Sequence, residues 1–249
     1  MGKGDREKSA REKIKAQQAA DRARDQRKKV TTYITVGVVA VAAVALGWWY
    51  TASQSASEEA SGLAPTTVQA DGSVAMAKAG VTGPTLDIYE DFQCPVCKQL
   101  EEISGSTFRN LANEGKAKVV YHPITIFGDD PLKSNSVRAA SAIRCVTDGK
   151  QWLSYHDILY KNQPAEGSVG FELPDLVSWG KDAGVTAPGF DTCVTQQQKA
   201  AAQTAFSDKI LKEQNIQGTP TVKLNGQDMD LEVVSKPAQL REAVAKASK

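Results

Sequence analysis

The sequence is poor in the side chains that gather metals. It holds two histidines, His122 and His156, and four cysteines in 249 residues. A structural zinc site needs about four ligands at characteristic spacing. No second C-x-x-C and no closely spaced histidines accompany the one at Cys94 and Cys97. Haem attachment is excluded as well, because Lys98 rather than histidine follows Cys97. A formal net charge of +1 leaves no basic excess for a nucleic-acid partner. No internal repeat is present, and neither a metal nor an organic cofactor is expected.

Against these absences stands Asp91-Phe92-Gln93-Cys94-Pro95-Val96-Cys97. Upstream, Leu86 and Ile88 alternate with Asp87 and Tyr89 as in a half-buried strand. Downstream, Val96, Leu100, Ile103, Phe108 and Leu111 recur at helical spacing and stop at Gly115. Pro95 suits a first helical turn, where its missing N–H is no loss. The N–H groups and partial positive charge of a helix N-terminus stabilise a sulfur there as thiolate. Strand, C-x-x-C and helix together predict a redox-active dithiol. A purely structural Cys94–Cys97 disulfide is the alternative, yet so short a loop restricts the unfolded chain little.

From Val30 to Tyr50 the chain carries no charged side chain, which is about the length a membrane-spanning helix requires. Tyr33 lies at one end and Trp48, Trp49 and Tyr50 at the other, as in interfacial aromatic belts. A Lys/Arg-rich tail, residues 1–29, precedes it, and no Lys or Arg follows until Lys78. The positive-inside rule then places the tail in the cytoplasm and the rest outside the cell membrane. A cleaved signal peptide would share this topology. Its apolar region usually runs to about 7–15 residues, and Tyr50-Thr51-Ala52 or Gln54-Ser55-Ala56 makes a poor cleavage site. An uncleaved single-pass anchor is expected, with residues 51–75, rich in Ser, Ala, Gly and Thr, as a flexible tether.

Residues 76–249 suffice for one compact domain. Lys116–Tyr121 reads as a second strand ended by Pro123. Ser134–Val146, Gln151–Asn162, Glu172–Ala183 and Gln196–Asn215 read as helices, and Pro237 opens a last one carrying Leu240 and Val244. Thr221–Leu224 alternates as a strand, Asn225-Gly226 signals a hairpin, and Leu231–Val234 is expected as its partner. The order predicts an α/β thioredoxin fold with an inserted α-helical domain, about residues 130–198, preceded by one transmembrane helix. Disulfides persist outside the membrane, and a Cys145–Cys193 bridge would close a loop of about fifty residues. Two buried thiols packing as small hydrophobes are the alternative for that pair.

With Gly218-Thr219-Pro220-Thr221 before a strand and the Val119-Val120-Tyr121 strand, the D-F-x-C-P-x-C string resembles the DsbA-like thiol-disulfide oxidoreductases of Gram-positive, actinobacterial-type envelopes. The resemblance covers about residues 84–249. It implies Cys94 and Cys97 as catalytic residues, supported by Pro95, Val96, Thr219 and Pro220. Pro220 would be a cis-proline facing the sulfurs, with the Thr219 backbone offered to an extended client peptide. It further implies oxidation of reduced exported proteins, and recharging by a quinone-linked membrane partner of the vitamin K epoxide reductase kind. Val96 departs from the histidine of the best-known enteric oxidant and cannot donate a hydrogen bond to Cys94. Glu90 and Asp91 flank the motif, where a carboxylate can move protons for the sulfurs or, more commonly, is solvated or caps the helix. His122, before Pro123 at a strand end, reads as an exposed loop-proximal or packed residue rather than a proton donor. His156 with Trp152, Tyr155 and Tyr160 reads as the packing face of the insertion, with a client-binding groove there as the alternative. A reductase or isomerase, or a non-enzymatic envelope binding module, are the competing classes.

Overall fold

A computed structural model describes residues 64–248. The expected tail, the membrane span and residues 51–63 of the expected tether lie outside them. Among the described residues no helix is long and apolar enough to cross a membrane.

Six strands form one sheet: β1 (Thr66–Val68), β2 (Val74–Met76), β3 (Thr85–Glu90), β4 (Lys118–Pro123), β5 (Thr221–Leu224) and β6 (Gln227–Asp228), in the order β1-β2-β4-β3-β5-β6. The central β3 and β4 run parallel, with Ile88 opposite Tyr121, and β5 pairs antiparallel to β3, with Ile88 opposite Val222. Period-2 alternation sends Leu86, Ile88 and Glu90 of β3 to one face and Tyr89 to the other. On the first face lies the main core. It is filled by Phe108 and Leu111 of α1 (Pro95–Asn113), by Leu240 and Val244 of α8 (Pro237–Ala247), and by aromatics of the inserted helices. On the second face Tyr89 and Ile124 pack on Phe206 and Ile210 of α6 (Ala200–Glu213). Parallel β3 and β4 are joined through α1, as a crossover connection demands.

Helix α1 ends where the sequence says it must. Gly115 adopts φ +70°, its N–H reaches Ala112 O, and the Lys116 N–H reaches Leu111 O. These bonds satisfy the last carbonyls of the helix.

Between β4 and α6 lie α2 (Leu132–Ile143), α3 (Gly149–Lys161), α4 (Leu173–Asp182) and α5 (Phe190–Thr195). Trp152 and Tyr155 are 1% and 0% exposed. The rings of Trp152 and His156 lie 5.9 and 5.1 Å from Tyr121 of β4, so apolar burial fuses the insertion to the sheet. Cys145, just past α2, and Cys193 in α5 are bonded, with an S–S distance of 2.00 Å.

Three sequence expectations require correction. The tether does not run to residue 75, because β1 and β2 form a hairpin on the sheet edge, with Val74 and Met76 wholly buried. Its turn holds Gly72 at φ +93° so close to Arg144 that a Cβ would lie 2.1 Å from Nη1. Arg144 Nη2 donates to Asp71 O at 2.6 Å, fixing the turn. The Ser/Gly/Thr-rich composition masked this short alternation. Second, Leu231–Val234 is a helical turn, α7, capped by Asp230 accepting from the Glu232 N–H at 2.8 Å. The hairpin partner is β6, immediately after Asn225 and Gly226 at φ +52° and +79°. Third, the Gln196–Asn215 helix starts only at Ala200, because Gln197 at φ +48° breaks the chain direction after α5.

The bridge spans a sequence separation of 48. Replacing both Cys145 and Cys193 by Ala should cost about 4 kcal/mol in the chain-entropy account. Urea unfolding of the variant against the unreduced parent checks this, and a loss below about 1 kcal/mol would refute the loop-closure reading.

Candidate active site

Strand β3 delivers the chain into a tight turn over Asp91-Phe92-Gln93. The buried Asp91 carboxylate accepts from the Gln93 N–H at 2.9 Å, from Ser136 Oγ at 2.5 Å and from the Ile126 N–H at 3.0 Å. Burial nonetheless pushes its pKa up to about 6. Three accepted bonds from three segments make Asp91 the clasp of the motif loop. A second clasp comes from the insertion. Gln163 Nε2 donates to Phe92 O at 2.7 Å and to Cys94 O at 3.0 Å. Asn135 Nδ2 donates to Gln93 Oε1 and to Ser168 O, each at 2.8 Å.

The turn ends at Cys94, which caps α1: its Sγ accepts the Cys97 N–H at 3.3 Å. Pro95 takes the first helical turn. The two sulfurs are free thiols, with Cys94 4% and Cys97 1% exposed. Val96, 52% exposed, projects beside them. Opposite, the Thr219–Pro220 peptide is cis, and Cys94 Sγ in its thiol form donates to Thr219 O at 3.3 Å. Cys94, Cys97, Thr219 and Pro220, 125 residues apart in sequence, therefore form one site, bordered by Val96.

Its electrostatics separate the thiols. Hydrogen bonding from Cys97 lowers Cys94, burial opposes it, and Thr219 with the main-chain N–H groups of Cys97 and Val96 carries it down to about 6. Burial pushes Cys97 well above the ordinary thiol range, and the Cys94 sulfur pushes it further. Near neutral pH one sulfur is an anion and the other a donor to it. Such a pair can attack, or be released from, a disulfide at a single defined sulfur.

The remaining candidates lie elsewhere. His122 stacks on Tyr89 at 4.5 Å and pairs with Asp87 at 2.9 Å, as a packed strand-end residue. His156 is wholly buried, with Nε2 2.7 Å from Glu90 Oε1. Burial disfavours its charge, but Glu90, Asp157 and Glu101 outweigh that and raise its pKa to about 10. Glu90 is thus engaged in the insertion, with Tyr160 OH donating to its Oε2 at 3.1 Å. Sequence reasoning passed over Glu101, Gln163 and Asn135. Glu101 had a signal: it lies four residues after Cys97, on the buried face of α1. The other two had none, since their partners are distant loop carbonyls and amides.

A thiol pair at a helix N-terminus opposite a cis-proline, on a central parallel β-α-β unit, defines a dithiol protein of the thioredoxin class. The thioredoxin family model matches residues 79–246, and the chain belongs to that family. Among solved structures it is similar to MdbA, a thiol-disulfide oxidoreductase from Corynebacterium matruchotii, at 22% identity and TM-score 0.61, over 72% of this chain and 92% of that one. MdbA from Actinomyces oris shares 23% identity at TM-score 0.59, over 72% and 90%. Reduced DsbA from Mycobacterium tuberculosis shares 22% at TM-score 0.56, over 76% and 100%. These likenesses are of fold. No curated protein sequence matches the chain.

Iodoacetamide labelling of the reduced protein should show one fast thiol titrating near pH 6 and assigned to Cys94 by peptide mapping. The folded value lies below the ordinary 9.0, so the thiolate stabilises the reduced fold fully above that ordinary value. This contribution fades as pH falls through about 6. The stability advantage of the reduced protein over Cys94→Ser should shrink in the same window. A single labelling midpoint near 9 would refute the assignment.

Proposed function

We propose that this chain is an extracytoplasmic thiol-disulfide oxidoreductase that introduces disulfides into exported proteins. The observation that carries the reading is the division of labour between the sulfurs, Cys94 poised as the anion and Cys97 held as the thiol. In the oxidised enzyme a client thiolate attacks Cys94 Sγ and expels the Cys97 sulfur, which takes up a proton. The client's second thiolate then attacks the client sulfur of the mixed disulfide and expels Cys94 as its stabilised anion. Two electrons pass from the client to the enzyme, and the client leaves with a new disulfide. Thr219, whose carbonyl already meets Cys94, offers main-chain groups to an extended client strand.

The same features favour an oxidant. Stabilising the Cys94 anion stabilises the reduced enzyme, and each pKa unit contributes at most about 30 mV to the potential. The Cys145–Cys193 bridge supports an oxidising compartment, because structural disulfides are rare where thioredoxin and glutathione keep thiols reduced. The uncharged Val30–Tyr50 segment and the basic residues before it support a cell-membrane anchor with an external catalytic domain. That placement suits recharging by a quinone-linked membrane oxidase of the vitamin K epoxide reductase kind.

Equilibration with glutathione, paired with refolding of a reduced client protein, tests the reading. A potential on the oxidising side, towards about −120 mV, with client oxidation lost in Cys94→Ser, is expected. A value near about −270 mV would overturn it in favour of a reductase. Placing histidine at the exposed Val96 should lower Cys94 further and raise the potential by up to about 30 mV per pKa unit.

A further inference from the structure

Five buried side-chain atoms among the described residues lack a hydrogen-bond partner, and three of them, Glu101 Oε1, Arg109 Nε and Tyr121 OH, belong to one cluster. It lies where β3, β4, α1 and α3 meet, outside the dithiol. Glu101, Arg109 and Tyr121 feel one another's charge, and Glu90 and His156 complete the group. One ligand atom from each of Glu90, Glu101 and His156 falls within 4.8 Å of the other two. We propose that these three residues form a divalent-metal site of the zinc class, joining the motif strand, the dithiol helix and the inserted helices.

The donor set fits that class. Two carboxylates and one neutral imidazole balance a dication, and the imidazole favours zinc-like ions over the all-oxygen shells of calcium and magnesium. A tetrahedral ion with bonds of about 2.0–2.2 Å sets its ligands about 3.3 Å apart. The 2.7 Å contact between His156 Nε2 and Glu90 Oε1 must therefore widen slightly, and Glu101 must move inward. In the metal-free protein the hydrogen bond between His156 Nε2 and Glu90 Oε1 occupies the ion's place. Glu101 has room because residue 105 is glycine: a Cβ there would lie 2.5 Å from Glu101 Oε2. Tyr121 OH, wholly buried and unpartnered, is a fourth polar group for the ion or its water.

The outer shell is already arranged. His156 Nδ1 faces Asp157 Oδ1 at 3.4 Å, which leaves Nε2 as the ligating nitrogen, and Arg109 pairs with the same Asp157 oxygen. Tyr160 OH holds the second oxygen of Glu90 at 3.1 Å. Phe92, Trp152 and Tyr160 rings within 5.6 Å of His156 exclude bulk water, and a low dielectric favours the neutral metal complex. Glu101 is only partly buried and gives the ion its way in along the flank of α1.

The test uses the full chain with Cys94 and Cys97 joined as a disulfide, so that no thiolate competes for metal. Protein stripped with a chelator is titrated calorimetrically with Zn²⁺, and with Co²⁺ by absorption. One Zn²⁺ per chain and a tetrahedral cobalt spectrum without sulfur charge-transfer bands are expected. Glu101→Gln, which keeps shape, should weaken binding by more than about 100-fold. Asp157→Asn, on a partly exposed side chain, should weaken it by about 10–100-fold and carries the test should Glu101→Gln not fold. Glu102→Gln, on the exposed face of α1, should bind as the parent does. No uptake by the parent, or equal uptake by the parent and the folded variants, overturns the proposal. Neither outcome bears on thiol exchange.

Discussion

The hydrogen bond from the Cys97 amide to the Cys94 sulfur, 3.3 Å long, is the contact on which the rest of the molecule turns. It exists only if α1 begins at Pro95, if the three residues before it turn sharply out of β3, and if nothing else satisfies that amide. Each condition is met by a separate part of the chain: proline geometry, the Asp91 clasp and the burial of Cys97. The sulfur does for this helix what a serine or aspartate oxygen does for others. A capping atom that also changes charge couples the redox state of the protein to the stability of its central helix.

The asymmetry between the cysteines arises from depth as much as from charge. Cys94 meets solvent only at a narrow opening, while Cys97 lies one turn deeper, among apolar side chains that penalise its anion. A longer spacing would carry the second sulfur round the helix, and a shorter one would leave both at the mouth. The site is thus a consequence of helical pitch applied at the edge of a dry core.

Much of this was legible in the sequence because its signals are local. The alternation at Leu86 and Ile88, the Pro95 start, the Gly115 stop and the Asn225-Gly226 turn are each decided within a few residues. What escaped was decided at a distance. The hairpin of β1 and β2 is fixed by Arg144, and the clasp of the motif by Gln163 and Asn135. Residues Leu231–Val234 show the same limit from the other side: an apolar β-branched pair suggests a strand, yet Asp230 and the packing of Val234 make a helical turn. The inserted helices were found by periodicity, but their grip on the motif has no periodicity to find.

That grip changes what the insertion is for. Arg138 donates to Phe171 O at 3.0 Å and to Gly170 O at 2.7 Å, Asn135 holds Ser168 O, and Gln163 holds the carbonyl of Cys94 itself. Residues 163–171 are in effect a rim bolted to the reaction centre, with Val169 standing 68% exposed on it. Under the proposed function, substitutions on the outer side of such a rim alter which client polypeptides can approach, while the inner bonds keep the sulfur environment constant. Selectivity and reactivity can then change independently of one another.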